Sequence, residues 1–308
     1  MEDLEAVISS HRKALNLFPL DHPNRSYALS NLGIVLFVHF NQSGRIEDLE
    51  EATTYHHEAL TLHPLGHPDH SSALTNLGVA LGRCFKQLGR MEDMEDAITS
   101  LHKAVTLHPL GHPDCFSSLN NLALALHIRF KQLGKTEDLE DAITSHHEAL
   151  TVRPLGHPNY FIWLNNLASV LNTRFEQFGR MEDLEEAITS HHEALTLCPL
   201  GYPQRSSFLN NVVLALYTHF NQLGRMKDLE VVITSHCEAL TLWPVDHPDC
   251  SLSLNNLANA LSTRFNHLGR IEDLEDAITF HCEALNIYPL GHPGHSMSLN
   301  NLANALST

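Results

Sequence analysis

Imidazole and thiol groups, which bind metals and act as nucleophiles, recur through this sequence at regular intervals. The chain has 24 histidines and six cysteines in 308 residues. Most histidines fall into two columns, a column being the equivalent positions of units that repeat every 45 residues. The columns are His11, His56, His146, His191, His236 and His281, and His22, His67, His112, His157, His247 and His292. Equivalents on packed helices lie about 10 Å apart, too far to share a zinc ion at about 2.0 Å. We therefore predict structural histidines and no metal.

Other chemistry is not indicated either. The six cysteines keep no common spacing and form no CxxC pair, which predicts reduced thiols. No nucleophile, base and orienting group recur together, and Gly89-Arg90 belongs to a helix hairpin and not to a phosphate loop. The sequence therefore predicts neither an enzyme nor a cofactor.

Charge and hydropathy restrict the partners and the location. The chain carries 36 acidic and 19 basic residues, a net charge of −17, which argues against a nucleic-acid surface because phosphate binding depends on Lys and Arg. No secretory signal follows Met1, and the longest apolar runs hold about six residues, far fewer than a membrane span needs. We expect a cytoplasmic chain that binds basic or amphipathic protein partners and neither nucleic acid nor membrane.

The elements that position these residues follow from the 45-residue period. Each period contains two helical patterns, shown by the stripe of Leu164, Leu167, Leu171, Phe175 and Phe178. A glycine such as Gly179 predicts the end of the first helix, and the acidic run that follows opposes the dipole of the second. The link from Pro154 to Pro158 ends the second helix, and Asn or Asp after the link, such as Asn159, predicts an N-cap. Stacked units of this size indicate an all-α solenoid.

The repeat resembles the tetratricopeptide repeat. Ala142, His146, Ala149 and Pro154 match the small, aromatic, small and proline pattern of that family's second helix, and Leu122-Ala123 with Leu126 matches the first. The Leu-Asn-Asn-Leu-Ala segment is similar to the enlarged repeats of kinesin light chain and of fungal arrays attached to CHAT or nucleotide-binding domains. The resemblance implies a right-handed α-solenoid of antiparallel helix pairs.

The period also predicts where the units begin and end. We expect one solenoid over residues 1–308, with a lone helix near 2–18 and a partial repeat at 294–308. The six full repeats are predicted at about 24–64, 69–109, 114–154, 159–199, 204–244 and 249–289. Because no polar capping repeat is seen at either end, we expect a fragment of a longer protein, with ends free to self-associate.

The resemblance further implies that the first helices line a concave groove that holds extended peptides. Carried over by position, one groove column is Asn31, Asn76, Asn121, Asn166, Asn211 and Asn256, and its neighbour contains Asn120, Asn165, Asn210 and Asn255. A carboxamide donates and accepts hydrogen bonds and so suits a peptide backbone. The alternative is that these side chains bond locally to the adjacent helix or to water.

Two departures from the repeat are candidates for selectivity. One groove column varies while its surroundings repeat, through Phe37, Gly82, His127, Asn172, Tyr217 and Ser262; this pattern fits partner selection and equally fits neutral drift. The other departure is Tyr160, Phe161, Ile162 and Trp163, four large side chains in a segment that is elsewhere rich in serine. They cannot all face a core, so we expect at least one exposed; the alternative is local repacking.

The sequence thus favours a scaffold that binds peptide segments of an unidentified protein. Two alternatives stay open. One is the sensor or recruitment arm of a larger CHAT-type protease or nucleotide-binding signalling protein, and the other is an architectural solenoid that self-associates.

Overall fold

Each described repeat folds as a pair of helices joined by a two-residue turn. The computed structural model describes residues 2–20, 22, 24–62, 67, 69–107, 115–151, 159–199, 201–202, 204–242, 248–287 and 293–307. The chain divides into two compact units, residues 1–157 and 158–308, which are described separately below. The prediction for the link at 154–158 lies outside the described residues.

The two units contain equal numbers of helices over these residues. The first unit holds α1 (Glu2–Leu17), α2 (Arg25–Ser43), α3 (Ile46–Leu62), α4 (His70–Leu88), α5 (Met91–Leu107), α6 (Cys115–Leu133) and α7 (Thr136–Thr151). The second unit holds α8 (Tyr160–Phe178), α9 (Met181–Leu197), α10 (Arg205–Leu223), α11 (Met226–Leu242), α12 (Pro248–Leu268), α13 (Ile271–Ile287) and α14 (Pro293–Leu306).

Helices pack in sequence order within each unit. In the first unit α2 packs on α3, α4 on α5 and α6 on α7, and each second helix also contacts the first helix that follows it. The second unit repeats this order from α8 to α14. Because only two residues separate the members of a pair, they are antiparallel neighbours. The prediction of an all-α solenoid of helix pairs is therefore confirmed within each unit.

Glycines make the sharp turn inside each pair. Gly44, Gly89, Gly134, Gly179, Gly224 and Gly269 have φ between 65° and 72°. The amide of Gly179 donates to the carbonyl of Phe175 at 2.7 Å. The left-handed C′ position predicted from sequence is confirmed, and it satisfies a carbonyl that the helix end would otherwise leave unpaired.

The N-terminal ends of the first helices, which follow the links, do not have the capping that the sequence predicts. Asn24, Asp69 and Asn159 form no side-chain cap, so that prediction is wrong. Their backbone lies near φ −87° to −99° with ψ close to 0°, whereas a capping residue is usually extended. Instead, the amides of Asn24 and Asp69 donate to Nδ1 of His22 and His67 at 3.1 and 3.2 Å. His22 and His67 therefore order the backbone before α2 and α4, and the other members of the second histidine column lie outside the described residues.

Close approach of the two helices in a pair depends on a small residue in the first. A Cβ added to Gly33 would lie 2.7 Å from the imidazole of His56, and one added to Gly78 would lie 2.6 Å from Cγ of Leu101. Both His56 and Leu101 are almost fully buried. At these glycines the first helix has no side chain, so its backbone contacts the buried side chain of the second helix directly.

A buried ion pair also joins the two helices in three of the repeats. Arg174 Nε and Nη2 donate to both carboxylate oxygens of Asp183, at 2.8 and 2.6 Å. The equivalent bidentate pairs are Arg129 with Asp138 and Arg264 with Asp273. The hydrogen bond to Asp138 raises the pKa of Arg129. These aspartates thus do more than oppose the helix dipole, which is all that the sequence interpretation gave them.

The partner of this aspartate changes between repeats. His39 and His219 replace the arginine and lie 2.7 Å from Asp48 and Asp228. Where the position is Cys84, Arg90 from the turn donates to Asp93 instead, at 3.0 Å. The sequence contained a signal for the pair, because the arginine or histidine of the first helix always lies nine positions before its aspartate partner.

Replacing the two nearby glycines of α4 should have opposite effects. Gly78→Ala should lower the free energy of unfolding by about 1–3 kcal/mol, because the new methyl group overlaps a buried side chain. Gly82→Ala should raise it by about 0.5–1 kcal/mol, because no atom lies within 4 Å of its added Cβ and alanine favours a helix. Thermal and urea unfolding midpoints test both. Equal effects from the two changes would contradict this account of the contact.

Removal of the Asp183 carboxylate should be costly. Asp183→Ala leaves the Arg174 guanidinium, whose side chain is 15% exposed, without its bidentate partner and should destabilise the second unit by about 3 kcal/mol. Glu182→Ala is the matched control, since the adjacent residue is exposed and should change stability by less than about 0.5 kcal/mol. Urea unfolding followed by circular dichroism gives both values, and similar midpoints would refute a stabilising role for the pair.

Candidate peptide-binding surface

Two pockets open on the first helices, one in each unit. We call the first the Gly82 pocket; it has a volume of about 410 Å³ and lies among α2, α4 and α6, with Phe37, Val79, Gly82, Arg83, Asn121 and Leu124 in its lining. The second, the Tyr217 pocket, has a volume of about 500 Å³ and lies between α10 and α12 over α11. Its polar lining is Asn210, Tyr217, Asn256, Asn259, Ser262 and Asn266.

The two pockets share one arrangement at the variable column. In each, an aromatic residue from one first helix stands beside a small residue from the next, Phe37 with Gly82 and Tyr217 with Ser262. A Cβ at Gly82 would meet no atom within 4 Å. The side chain at this column therefore controls how much open space lies between neighbouring first helices.

The edges of the two pockets differ in charge. Arg83 and Lys86 line the Gly82 pocket, where Arg83 donates to Oδ1 of Asn41 at 3.1 Å and lies 5.8 Å from the ring centre of Phe40. Among the described residues, no Asp, Glu, Lys or Arg lines the Tyr217 pocket. The first pocket thus attracts negative charge, while the second offers no ionic partner.

Most of the predicted groove asparagines keep their carboxamides available. Asn31 is exposed and Asn76, Asn121 and Asn256 are half-buried; none of the four forms a side-chain hydrogen bond within the described part of the chain. Asn121 and Asn256 lie in the two pockets. The remaining two are engaged: Asn211 donates to Oδ1 of Asn165 at 3.0 Å, and Asn166 has an intramolecular partner.

The neighbouring asparagine column lies mainly inside the helix pairs. Asn120, Asn165 and Asn255 are at most 9% exposed, whereas Asn210 is exposed in the Tyr217 pocket. Nδ1 of His191 lies 3.0 Å from Oδ1 of Asn165, and Nδ1 of His281 lies 3.0 Å from Oδ1 of Asn255. The three buried carboxamides thus serve the interior, so we leave them out of the proposed peptide-binding surface.

Two members of the variable column also point to the interior. His127 is 7% exposed, and burial lowers its pKa to about 4. Asn172 Nδ2 lies 3.3 Å from Nε2 of His191. These two residues therefore belong to the contact with the buried histidines, while Phe37 and Tyr217 remain at the pockets.

The large side chains at the start of α8 are mostly covered. Phe161 and Trp163 are 6% and 5% exposed, and Tyr160 and Ile162 are half-buried. Phe161 packs edge-on against Tyr202 and Phe208 at centroid distances of 5.1 and 5.8 Å. The expected exposed patch is therefore reduced to partial exposure of Tyr160 and Ile162, and Phe161 supports the alternative of local repacking.

All members of the first histidine column except His11 are buried, and burial keeps these five imidazoles neutral at pH 7. His56, His146, His191, His236 and His281 are at most 3% exposed. Burial lowers the pKa of His56, His191 and His236 to about 4 and that of His146 to about 3. These imidazoles fill the position between paired helices. Among the residues that the structure describes, no three His, Cys, Asp or Glu side chains are placed to hold a metal ion.

Sequence reasoning missed the partnership between these histidines and asparagines. Position 101 holds Leu instead of His, and the repeat that contains it has Thr75 where four histidine-containing repeats have Asn. Thr75 bonds to Ser71 and Ser118 instead. The simultaneous loss of the histidine and the asparagine in this repeat was the sequence signal that the two residues are partners.

The fold, the pairing of helices and the first-helix pockets define this chain as an α-helical repeat protein. The family model of the tetratricopeptide repeat matches residues 251–295. The matched segment is one unit of the 45-residue repeat that recurs along the chain.

Comparison with solved structures gives the same fold. A crystal structure of the Podosopora anserina putative kinesin light chain nearly identical TPR-like repeats is 15% identical, with 70% of this chain and 97% of that chain covered and a TM-score of 0.49. A variant of it is 16% identical over 71% and 97%, with a TM-score of 0.51. YrrB, a TPR protein with an unusual peptide-binding site, is 14% identical over 72% and 90%, at 0.46.

Two further findings are negative. No curated protein matches the sequence. Within the described residues, each helix is too short or too polar to cross a lipid bilayer.

Acid should destabilise the protein through the buried histidines. The pKa of His56, His191 and His236 is about 4 in the folded chain, against about 6.5 when unfolded, so between these values the unfolded chain binds more protons. The free energy of unfolding should be highest above pH 6.5 and fall by up to about 3 kcal/mol per histidine as the pH drops to 4. Urea unfolding at a series of pH values measures this slope.

Two histidine variants separate the contributions. Both ring nitrogens of His146 lack a hydrogen bond, so His146→Leu should cost little at pH 7 and reduce the acid slope. His191→Leu removes the partner of Asn165 and Asn172 and should cost about 1–3 kcal/mol at pH 7. An unchanged acid slope in both variants would show that other groups cause the acid sensitivity.

Proposed function

We propose that this chain is a protein-interaction scaffold that binds extended peptide segments on the surface formed by its first helices. The observation that carries the proposal is the placement of unpaired carboxamides in pockets with apolar walls, Asn121 beside Leu124 and Asn256 beside Leu252. A peptide presents amide donors and acceptors along its length, and the free carboxamides supply both complements.

The same surface supports selection among peptides. The carboxamides offer contacts that any backbone satisfies, whereas the variable column sets the size of each pocket. Arg83 and Lys86 add a preference for acidic or carbonyl-rich groups at the Gly82 pocket. Binding and selection are therefore assigned to different columns of the same helices.

This function requires no catalysis, and tetratricopeptide repeat proteins are generally non-enzymatic scaffolds. We propose a protein partner without a cofactor and a cytoplasmic location. The alternatives of a recruitment arm in a larger signalling protein and of a self-associating solenoid stay predictions, because no described contact favours either one.

Filling the Gly82 pocket tests the proposal directly. Gly82→Tyr places at this position the residue that Tyr217 provides in the second unit, and open space surrounds the site. The variant should fold normally, and peptides that bind to the first unit should bind to it at least about tenfold more weakly. A peptide array scored by fluorescence measures binding, and Glu92→Tyr, at an exposed position on α5, is the control.

The carboxamides are tested in a second variant. Replacing Asn31, Asn76 and Asn121 together by Ala should weaken capture of the same peptides, while melting temperatures report whether the fold is intact. If both variants retain full binding to every captured peptide, the first helices of the first unit are not the binding surface.

A further inference from the structure

The Tyr217 pocket differs from other polar surfaces of this chain in having carboxamides but no ionic side chain. Asn210, Asn256, Asn259 and Asn266 line it, and none of them forms a side-chain hydrogen bond within the described residues. Four free carboxamides around one opening therefore supply donors and acceptors that a ligand can use.

The interior of the pocket is apolar. Val213, Leu214, Val232 and Leu252 lie between the carboxamides, and Leu214 and Leu252 are 59% and 39% exposed. His236 on the floor is buried and neutral at pH 7, since burial lowers its pKa to about 4. A charged group entering this space would lose its water without gaining a counter-ion, which is unfavourable.

The spacing along α12 fits an extended chain. Asn256, Asn259 and Asn266 follow one stripe of the helix, and the first and last are about 15 Å apart at 1.5 Å per residue. Thr263 lies on the same stripe, but its hydroxyl is 3.2 Å from the hydroxyl of Tyr217 on the opposite wall and forms a hydrogen bond with it. An extended peptide advances about 3.3 Å per residue, so about five residues lie along this stripe. The opposite wall is the parallel stripe of Asn210, Leu214 and Tyr217 on α10, so both sides of the ligand meet alternating polar and apolar groups.

We propose that the Tyr217 pocket binds an uncharged extended peptide of about five residues, with an apolar side chain between Leu214 and Leu252 and with its backbone amides on the asparagines. This inference rests on the proposed peptide-binding function and adds its ligand class. It also assigns binding roles to Asn259 and Asn266. The two units then select different segments, because the Gly82 pocket presents Arg83 and Lys86 and the Tyr217 pocket presents no charge.

The test uses the full chain carrying Gly82→Tyr, so that peptides are selected mainly by the second unit. A random peptide library is selected on this protein, and dissociation constants of the enriched peptides are measured between 50 and 500 mM NaCl. We expect windows of about five residues without Asp, Glu, Lys or Arg, and a change of less than about twofold with salt, because no exposed charge pair is screened.

Variants of α12 then locate the binding site. Asn256→Ala with Asn259→Ala should weaken binding at least about tenfold, since several hydrogen bonds are lost. Asn286→Ala, an exposed position on α13, is the matched control and should bind normally. Asn256→Asp with Asn259→Asp should change the selected peptides toward Lys and Arg and introduce salt dependence.

Each other outcome has a definite meaning. Enrichment of charged peptides that depend on Asn256 and Asn259 would overturn the neutral ligand class and leave the proposed function standing. Peptides indifferent to both variants would place binding elsewhere and also overturn the inference. Neutral oligosaccharides that bind in place of peptides, with the same sensitivity, would replace the ligand. Failure of the unmodified chain to capture any peptide would remove the proposed function itself.

Discussion

The close contact between the first helix and a buried side chain on the second, an imidazole in five of the six pairs and Leu101 in the other, is the constraint on which the construction of the helix pairs depends. At Gly33 the backbone and the ring of His56 leave no room for a methyl group. An imidazole in this position fills space but also carries two polar nitrogens into the interior. Asparagines supply polar partners for the rings of His191 and His281, whereas both ring nitrogens of His146 lack a hydrogen bond.

Some of the asparagines form hydrogen bonds in the interior, and others lie on the first-helix surface. Asn165 and Asn255 face the buried rings and complete their hydrogen bonds, whereas Asn121 and Asn256, one position further along, reach the first-helix surface with free carboxamides. In the pair Asn255 and Asn256, the first residue thus bonds to the buried ring of His281 and the second provides a free carboxamide at the surface. A helix rotates about 100° per residue, which directs adjacent side chains to different surroundings.

Fold class and helix limits followed from sequence because they depend on local chemistry. The stripe of Leu164, Leu167 and Leu171 defines a helix face, and Gly179 adopts the conformation that its lack of a side chain permits. The N-cap prediction failed at Asn24 because its backbone, at φ −87° and ψ 0°, lies in the helical region instead of the extended conformation of a capping residue. The ion pair of Arg174 and Asp183 was missed because the acidic run that contains Asp183 already had a local explanation in the helix dipole.

Sequence by itself determined the repeat, the helices, the lack of charge at the Asn columns and the position of the variable residues. Tertiary structure decided which of two adjacent asparagines is buried, and that Gly82 and Ser262 stand at open pockets while His127 and Asn172 turn inward. Periodicity gives the direction of a side chain only relative to its own helix. Whether that direction meets a neighbouring ring, another helix or solvent depends on packing between helices, which the period does not encode.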